Sequence, residues 1–249
     1  MHRSLRLLSS VLLALLAGAA TAQPLTLRAI QQAGSLVKYI PNGDPARPGL
    51  CREIMDAVVR TDPDIRFTGL EFVPLKRIER MLRDGTTDVM FCLLNSPTRS
   101  TQWRYLPVPL YTVRHVVVQQ RDNPRQIDRL SDLKHLKRPV VVVRGTSLAR
   151  FLLDADVPFT EVSSESESVQ MLALRRADYL YGQDVNLQYH IHTHRLEQQL
   201  KLGSTVFQEE AQYVVVRADL PEPIVERLTQ VLRKLEREGT LRQIADRYR

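Results

Sequence analysis

Residues 74–111 read PLKRIERMLRDGTTDVMFCLLNSPTRSTQWRYLPVPLY, and this stretch decides the fold class. Its apolar residues recur at helical spacing between 75 and 82, with charged residues between them, and Gly85 follows where such a helix would end. Residues 89–94 are then a continuous apolar run, which is typical of a strand covered on both faces in a parallel sheet. A helix followed by a fully buried strand predicts the α/β class.

The polar turn after this strand is the first candidate ligand-binding element. Asn95 and Arg99 stand at the carboxyl end of the predicted strand, where open α/β sheets bind ligands. The Arg99 guanidinium offers two parallel hydrogen bonds to a carboxylate. A surface arginine that caps the next turn is the alternative, and the residues of the turn leave both interpretations open.

The rest of the chain alternates strands and helices around this stretch. The predicted strands are 25–30, 65–73, 113–120, 139–143, 159–162, 177–181 and 212–217, and the predicted helices are 50–59, 148–153, 166–176, 224–235 and 240–248. Alternation of this kind gives parallel strands with helices packed on the faces of the sheet.

Two further strand ends carry polar residues. Thr146 and Ser147 follow the apolar strand 139–143 and precede a helix, so free N–H groups, hydroxyl donors and the positive end of the helix dipole would converge on an anion. Asp184 follows the strand 177–181 in the same way. An ordinary helix N-cap is the alternative at both places.

The N-terminus has the pattern of a cleavable signal peptide. Arg3 and Arg6 flank the apolar stretch 7–17, and a small-x-small cleavage pattern ends at Ala22. The apolar stretch is shorter than the roughly 20 residues that span a bilayer, and no cysteine follows the cleavage site to carry a lipid. We therefore expect residues 1–22 to be removed on export, most simply to a bacterial periplasm.

The order of these elements resembles that of a known family. A helix with its glycine, an Asp-led apolar strand, a turn ending in arginine and an apolar-Pro-Tyr element stand here as 77–85, 88–94, 96–99 and 108–111. This order resembles the periplasmic solute-binding proteins of amino-acid-type ABC importers, bacterial extracellular solute-binding protein family 3. The resemblance implies an α/β, two-lobed periplasmic-binding-protein fold of type II, each lobe a mainly parallel sheet flanked by helices.

The resemblance also implies how the chain divides. Residues 23–118 would begin lobe 1, residues 119–210 would form lobe 2, and residues 211–249 would return to lobe 1. The two crossing segments would act as hinges near 119–123 and 209–213, and the lobes would close on a ligand.

The family's ligand contacts carry over to particular residues. Arg99 would bind a ligand carboxylate, the Thr146-Ser147 turn would face the same carboxylate across the cleft, and Asp184 would pair with a ligand ammonium. Tyr39 lies in the loop that would overhang the ligand. Its ring would either stack on the ligand or plug the edge of the lobe.

One departure from the family concerns selectivity. Where the family presents small hydroxyl residues before the arginine, this chain has Phe91-Cys92-Leu93-Leu94. Fewer donors would then face the ligand. This predicts a larger, more apolar amino acid, or a carboxylate that is not an amino acid.

Cys51 and Cys92 are the two cysteines of the chain. An even count in an oxidising compartment suggests a disulfide, and the resemblance implies that the helix start at Cys51 lies near the strand end at Cys92. The alternative is two buried thiols that pack as small hydrophobic groups.

Charge and histidine patterning weigh against two other classes of protein. The formal net charge of +7 falls by two when the signal peptide leaves, and the basic residues are spread among acidic neighbours, which does not suit nucleic acid. His190, His192 and His194 could share one face, but no carboxylate or cysteine stands at metal spacing nearby, so we expect a solvated helix end. We expect neither a metal nor a cofactor.

These expectations combine into one function and two alternatives. We expect a monomeric periplasmic binding protein, not an enzyme, that captures a small carboxylate-bearing solute, an amino acid or a derivative, and delivers it to a membrane ABC permease. A soluble sensor that acts on a membrane partner is the first alternative. The second is an enzyme similar to periplasmic cyclohexadienyl dehydratases, with Asp184 or Glu165 as general acid.

Overall fold

The computed structural model describes residues 24–41, 47–144 and 146–249, apart from the side chains of Pro97 and Thr98. The predicted signal peptide, 1–22, lies outside the described residues. None of the described helices combines the length and the apolar character that spanning a membrane requires.

The chain forms alternating strands and helices. The strands are β1 Leu25–Gln32, β2 Ile65–Val73, β3 Val89–Leu94, β4 Trp103–Tyr105, β5 Tyr111–Gln120, β6 Val140–Val143, β7 Phe159–Val162, β8 Tyr179–Gln183, β9 Leu200–Leu202 and β10 Gln208–Arg217. The helices are α1 Leu50–Thr61, α2 Leu75–Arg83, α3 Pro97–Ser100, α4 Leu148–Asp154, α5 Glu165–Ala173, α6 Asp184–Thr193, α7 Glu222–Arg237 and α8 Thr240–Asp246, with a 3-10 helix at Leu130–Leu133.

Within the described chain the strands belong to one ten-stranded mixed sheet. Its main path runs β2-β1-β3-β10-β5-β8-β6-β7, with β4 on β10 and β9 on β5. β1 is parallel to β2 and β3, and β6 is parallel to β7 and β8. The long antiparallel strands β5 and β10 lie between these two parallel groups and join them into one sheet.

The hydrophobic side chains pack in clusters that follow this arrangement. Two clusters draw on residues 27–113 and 214–248, with Val185 of α6 added to one of them. Two others draw on residues 116–200. The lobe boundaries expected from the resemblance stay a prediction. Along β5, however, Val113 packs in one of the first two clusters, whereas Val116 and Val117 pack in the other two.

The C-terminal helices return to the start of α1. The Tyr248 hydroxyl donates to a Glu53 carboxylate oxygen at 2.6 Å and accepts from the Gly49 amide at 3.0 Å. Gly49 has φ 109, and a Cβ there would lie 2.5 Å from the Lys38 carbonyl oxygen. Glycine therefore allows the loop after β1 to lie directly against the beginning of α1.

This contact fixes the backbone of the loop at Lys38. The amides of Leu50 and Cys51, at the N-terminus of α1, donate to the carbonyls of Val37 and Lys38 at 2.9 and 3.0 Å. Two N–H groups of the first turn of α1 are thus satisfied by the loop, which is held in place in return.

Candidate ligand-binding site

The candidate site lies where parallel strands of both groups end. The loop after β1, the end of β3 and the turn into α3 approach it from one group. The beginning of α5 after β7, and the end of β8, approach it from the other. Ligands bind at such carboxyl ends in open α/β sheets.

A β-bulge shapes the end of β3. Leu93 pairs with Tyr213 and Met90 with Val215, so that Phe91 and Cys92 together oppose one residue of β10. Cys92 has φ 63, which is left-handed and uncommon for a residue with a side chain. Bulges free backbone groups from the ladder, and here the Phe91 and Cys92 carbonyls accept side-chain donors.

Cys51 and Cys92 form a disulfide, with their Cα atoms 6.1 Å apart. The sequence left open a disulfide or two buried free thiols, and the structure contains the disulfide. It ties the start of α1 to the bulge of β3, because Cys51 is in the first turn of the helix. The left-handed residue is therefore held covalently beside the candidate site.

Lys38 is a buried cation at this bulge. Its side chain is 9% exposed, and its Nζ donates to the Cys92 carbonyl at 2.7 Å and to Gln212 Oε1 at 3.3 Å. Among the described residues it makes no ion pair with a carboxylate. The pKa of the Lys38 ammonium is lowered to about 8, mainly by burial and also by the nearby Arg99, while Glu165 acts in the opposite direction.

Tyr39, next to Lys38, lies in the core. Its hydroxyl donates to the Phe91 carbonyl at 3.2 Å, and burial raises the pKa of that hydroxyl. Only 1% of Tyr39 is exposed, so its ring packs on apolar neighbours rather than facing solvent. The placement is that of an aromatic that fills the edge of the core, which is one of the two roles expected for it.

Arg99 already has an anionic partner. Its Nε and Nη2 donate to Glu79 Oε1 at 3.2 and 3.0 Å, and its Nη1 donates to the Leu94 carbonyl at 3.3 Å. Glu79 belongs to α2 and is buried. Asn95 at the same strand end is exposed. Arg99 is close enough to the site that its charge lowers the pKa of Lys38. Its guanidinium is nevertheless bound to Glu79.

Across the sheet, three polar side chains meet at the ends of β7 and β8. The Asn186 amide donates to Glu165 Oε1 at 3.5 Å and to Gln183 Oε1 at 3.3 Å. Glu165 is half-buried. Burial raises the pKa of the Glu165 carboxyl, while its own backbone amide and the Lys38 ammonium work in the opposite direction.

Asp184 is turned away from this group. Its Oδ1 accepts from the amides of Arg114 and Val185 at 2.9 and 2.8 Å, and its Oδ2 lies 3.6 Å from Arg249 Nε. Because β8 extends to Gln183, the last strand side chain is the glutamine and Asp184 begins α6. Gln183, rather than Asp184, joins Glu165 and Asn186.

The Thr146-Ser147 turn precedes α4 as expected. Thr146 donates its hydroxyl to the Val143 carbonyl at 2.7 Å, and Ser147 occupies the N-cap position without a side-chain cap. The ligand contacts expected of both residues stay predictions.

The three histidines of α6 take different partners. His192 Nδ1 lies 2.7 Å from a Glu197 oxygen, and His194 Nε2 lies 2.8 Å from the Ser166 hydroxyl. His190 is buried and stacks on His194, and burial lowers the pKa of His190 to about 4. Over the described ranges no three His, Cys, Asp or Glu side chains are grouped to hold a metal ion.

Sequence reasoning missed Lys38, Gln183, Asn186 and Gln212 and considered Glu165 only as an acid for the enzyme alternative. One signal was present for Lys38, because it is the single charged residue between Val37 and Ile40. Because lysines are rarely fully buried, this signal does not by itself predict a buried ammonium. The other residues carry no local signal.

Comparison with known proteins identifies the fold. A histidine kinase sensor domain with similarity to periplasmic binding proteins aligns with a TM-score of 0.71 at 18% identity, over 90% of this chain and 95% of that chain. An ancestral cationic amino acid solute-binding protein gives 0.73 at 18% identity, over 90% and 95%. The substrate-binding protein of an amino acid ABC transporter gives 0.67 at 16% identity, over 90% and 98%.

No family model matches this chain, and no curated protein matches its sequence. These three neighbours are two solute-binding proteins and a sensor domain, and at these identities they show the fold alone. The predicted α/β periplasmic-binding-protein fold is thereby confirmed.

Proposed function

We propose that this protein is a periplasmic solute-binding protein that captures a small carboxylate-bearing solute, an amino acid or a derivative. The observation that carries the proposal is the meeting of unlike charges from two parts of the sheet. Lys38 lies in the loop after β1 and Glu165 begins α5 after β7, and each shifts the pKa of the other. A small charged solute fits between such groups.

Closure of the two lobes would be the functional event. A ligand that touches groups on both lobes stabilises the closed state through contacts that the open state lacks. The hinges of this closure would be the segments near 119–123 and 209–213. A membrane ABC permease would recognise the closed form. The similarity to the binding protein of an amino acid ABC transporter supports this partner.

A soluble sensor is the second candidate function. The similarity to a histidine kinase sensor domain favours it, because the same fold there belongs to a sensor. Both candidates need the same ligand capture and differ only in the membrane partner. Binding of the purified protein to the membrane subunits of a permease would separate them.

A thermal-shift screen of residues 23–249 tests the shared step. The panel would contain the standard amino acids, small organic acids and short peptides, with neutral sugars at equal concentration as controls. A ligand at 100 times its Kd stabilises the folded state by about 2.7 kcal/mol. We expect at least one carboxylate-bearing solute to raise the Tm. A panel without any such shift contradicts the proposal.

A further inference from the structure

Arg99 and Asp184, the two charged residues first expected to bind the ligand, already have partners within the protein. The Arg99 guanidinium is bound to Glu79, and both groups are largely buried. Asp184 accepts two backbone amides and lies 3.6 Å from Arg249. A ligand that paired with either residue would have to replace contacts that the protein already makes.

Two other charges at the site, Lys38 and Glu165, form no ion pair with any residue that the structure describes. Lys38 Nζ has only the oxygens of Cys92 and Gln212 as partners within the described chain. The Glu165 carboxylate has its own backbone amide and, at 3.5 Å, the Asn186 amide as partners. A buried charge held only by neutral dipoles is costly, and a ligand of opposite charge relieves that cost.

The sheet places these two charges on either side of β5. Gln212, which contacts Lys38, pairs with Tyr111 of β5. Gln183, in the group with Glu165 and Asn186, pairs with His115 four residues further along the same strand. Lys38 thus lies beside β10 and Glu165 lies beside β8, the two strands that flank β5, and each charge shifts the pKa of the other.

We propose that Lys38 and Glu165 bind the two ends of a zwitterionic solute, Lys38 its carboxylate and Glu165 its amino group. This inference rests on the proposed function and names the ligand class for it, a small amino acid. The Gln183 and Asn186 side chains add neutral hydrogen bonds at the amino end.

The pairing of one cation with one anion is what selects a zwitterion. A simple organic anion would compensate Lys38 and leave Glu165 unpaired. A simple amine would do the reverse. Only a solute with both groups compensates both residues, so each end is recognised through the cost of leaving buried Lys38 or half-buried Glu165 without an opposite charge.

Access to Lys38 requires movement. At 9% exposure its side chain is out of reach of bulk solvent, so a solute can arrive only when the groups around it separate. This is the behaviour that lobe opening would supply, and it makes Lys38 a contact formed in the closed complex.

Calorimetric titration with matched ligand analogues tests the inference. The ligand is the amino acid with the largest thermal shift, compared with its des-amino acid and with its carboxamide. We expect the wild type to lose roughly 100-fold in affinity with either analogue. Lys38→Met should bind the carboxamide about as well as the acid, and Glu165→Gln should bind the des-amino acid about as well as the amino acid.

Exposed residues provide matched controls. Lys137→Met and Glu71→Gln remove the same charges from the surface and should keep the wild-type discrimination. Circular dichroism checks folding, and Lys38→Gln replaces Lys38→Met if that variant does not fold.

The outcomes separate this inference from the function on which it rests. If the wild type binds an amino acid but Lys38→Met and Glu165→Gln keep full discrimination between the analogues, the zwitterion assignment is wrong and the binding function stands. If the wild type binds a small organic acid but no amino acid, the zwitterion assignment fails and the binding function stands. If no carboxylate-bearing solute binds, both proposals fail.

Discussion

The Nζ of Lys38 lies 2.7 Å from the carbonyl oxygen of Cys92, a residue that is left-handed at φ 63 and bridged to Cys51. One residue thus combines an unusual backbone conformation, a covalent restraint and a hydrogen bond to the buried cation of the candidate site. Residues held in sparsely populated conformations tend to cluster at ligand sites. The backbone conformation of Cys92, its disulfide and its hydrogen bond to Lys38 should therefore affect both stability and ligand binding.

The first prediction concerns the disulfide. Replacing both Cys51 and Cys92 by Ala should lower the free energy of unfolding by roughly 4 kcal/mol, from loop-closure entropy across the 41-residue separation. It should also weaken ligand binding, because the Cys92 carbonyl is no longer held towards Lys38. Chemical denaturation and calorimetry measure the two effects. Binding of unchanged strength would show that the bridge serves stability alone.

The second prediction concerns the cost of burying Lys38. Its pKa is lowered to about 8 from 10.5, so the unfolded chain binds more protons than the folded chain between these values, and wild-type stability rises with pH across that window. Below it the buried charge destabilises the ligand-free protein by roughly 3 kcal/mol. Lys38→Met should therefore raise the Tm at pH 7 by several degrees.

The control for this prediction is pH itself. The Tm advantage of Lys38→Met should shrink as pH rises from 7 towards 10, because wild-type Lys38 then folds as the neutral amine. A constant advantage across that range would mean that packing, and not charge, explains the effect. Lys137→Met should give no advantage at either pH.

The third prediction concerns ligand affinity and pH. A carboxylate needs the charged form of Lys38, so affinity should fall above pH 8, approaching tenfold per pH unit at the limit. The amino group of the ligand titrates in the same region, so the comparison is with Lys38→Met, which retains only the ligand's own dependence. Parallel profiles for the two proteins would contradict the role of Lys38.

The fourth prediction concerns Gly49. An added Cβ would meet the Lys38 carbonyl oxygen at 2.5 Å, and φ 109 is strained for any other residue. Gly49→Ala should destabilise the fold by a few kcal/mol and weaken ligand binding together, since the loop at Lys38 must shift. Gly34→Ala, also at positive φ but with open space around the added Cβ, is the matched control and should leave binding unchanged.

Much of the fold could be predicted from local sequence. The strands 65–73, 89–94 and 159–162 begin and end as predicted. For 89–94 the reason is a continuous apolar run that is buried along almost its whole length. The pieces α3, β4 and β9 were not predicted. Each is three or four residues long, which is too short for any periodicity to show.

The candidate site was less accessible to sequence reasoning. Whether a charged side chain is free for a ligand depends on partners that are distant in the chain. Lys38 contacts residues 54 and 174 positions away, and Arg99 is neutralised by Glu79, 20 positions earlier. Residue type and position at a strand end suggested Arg99 and Asp184, but only the folded contacts distinguish compensated charges from uncompensated ones.

A crystal structure of the protein with its amino acid ligand would test the central claim most directly. We expect a ligand carboxylate oxygen within hydrogen-bonding distance of Lys38 Nζ, and the ligand ammonium at the same distance from a Glu165 oxygen. The Arg99–Glu79 ion pair should remain intact. A complex in which the carboxylate binds Arg99 and the ammonium binds Asp184, with Lys38 still held only by Cys92 and Gln212, would contradict the account.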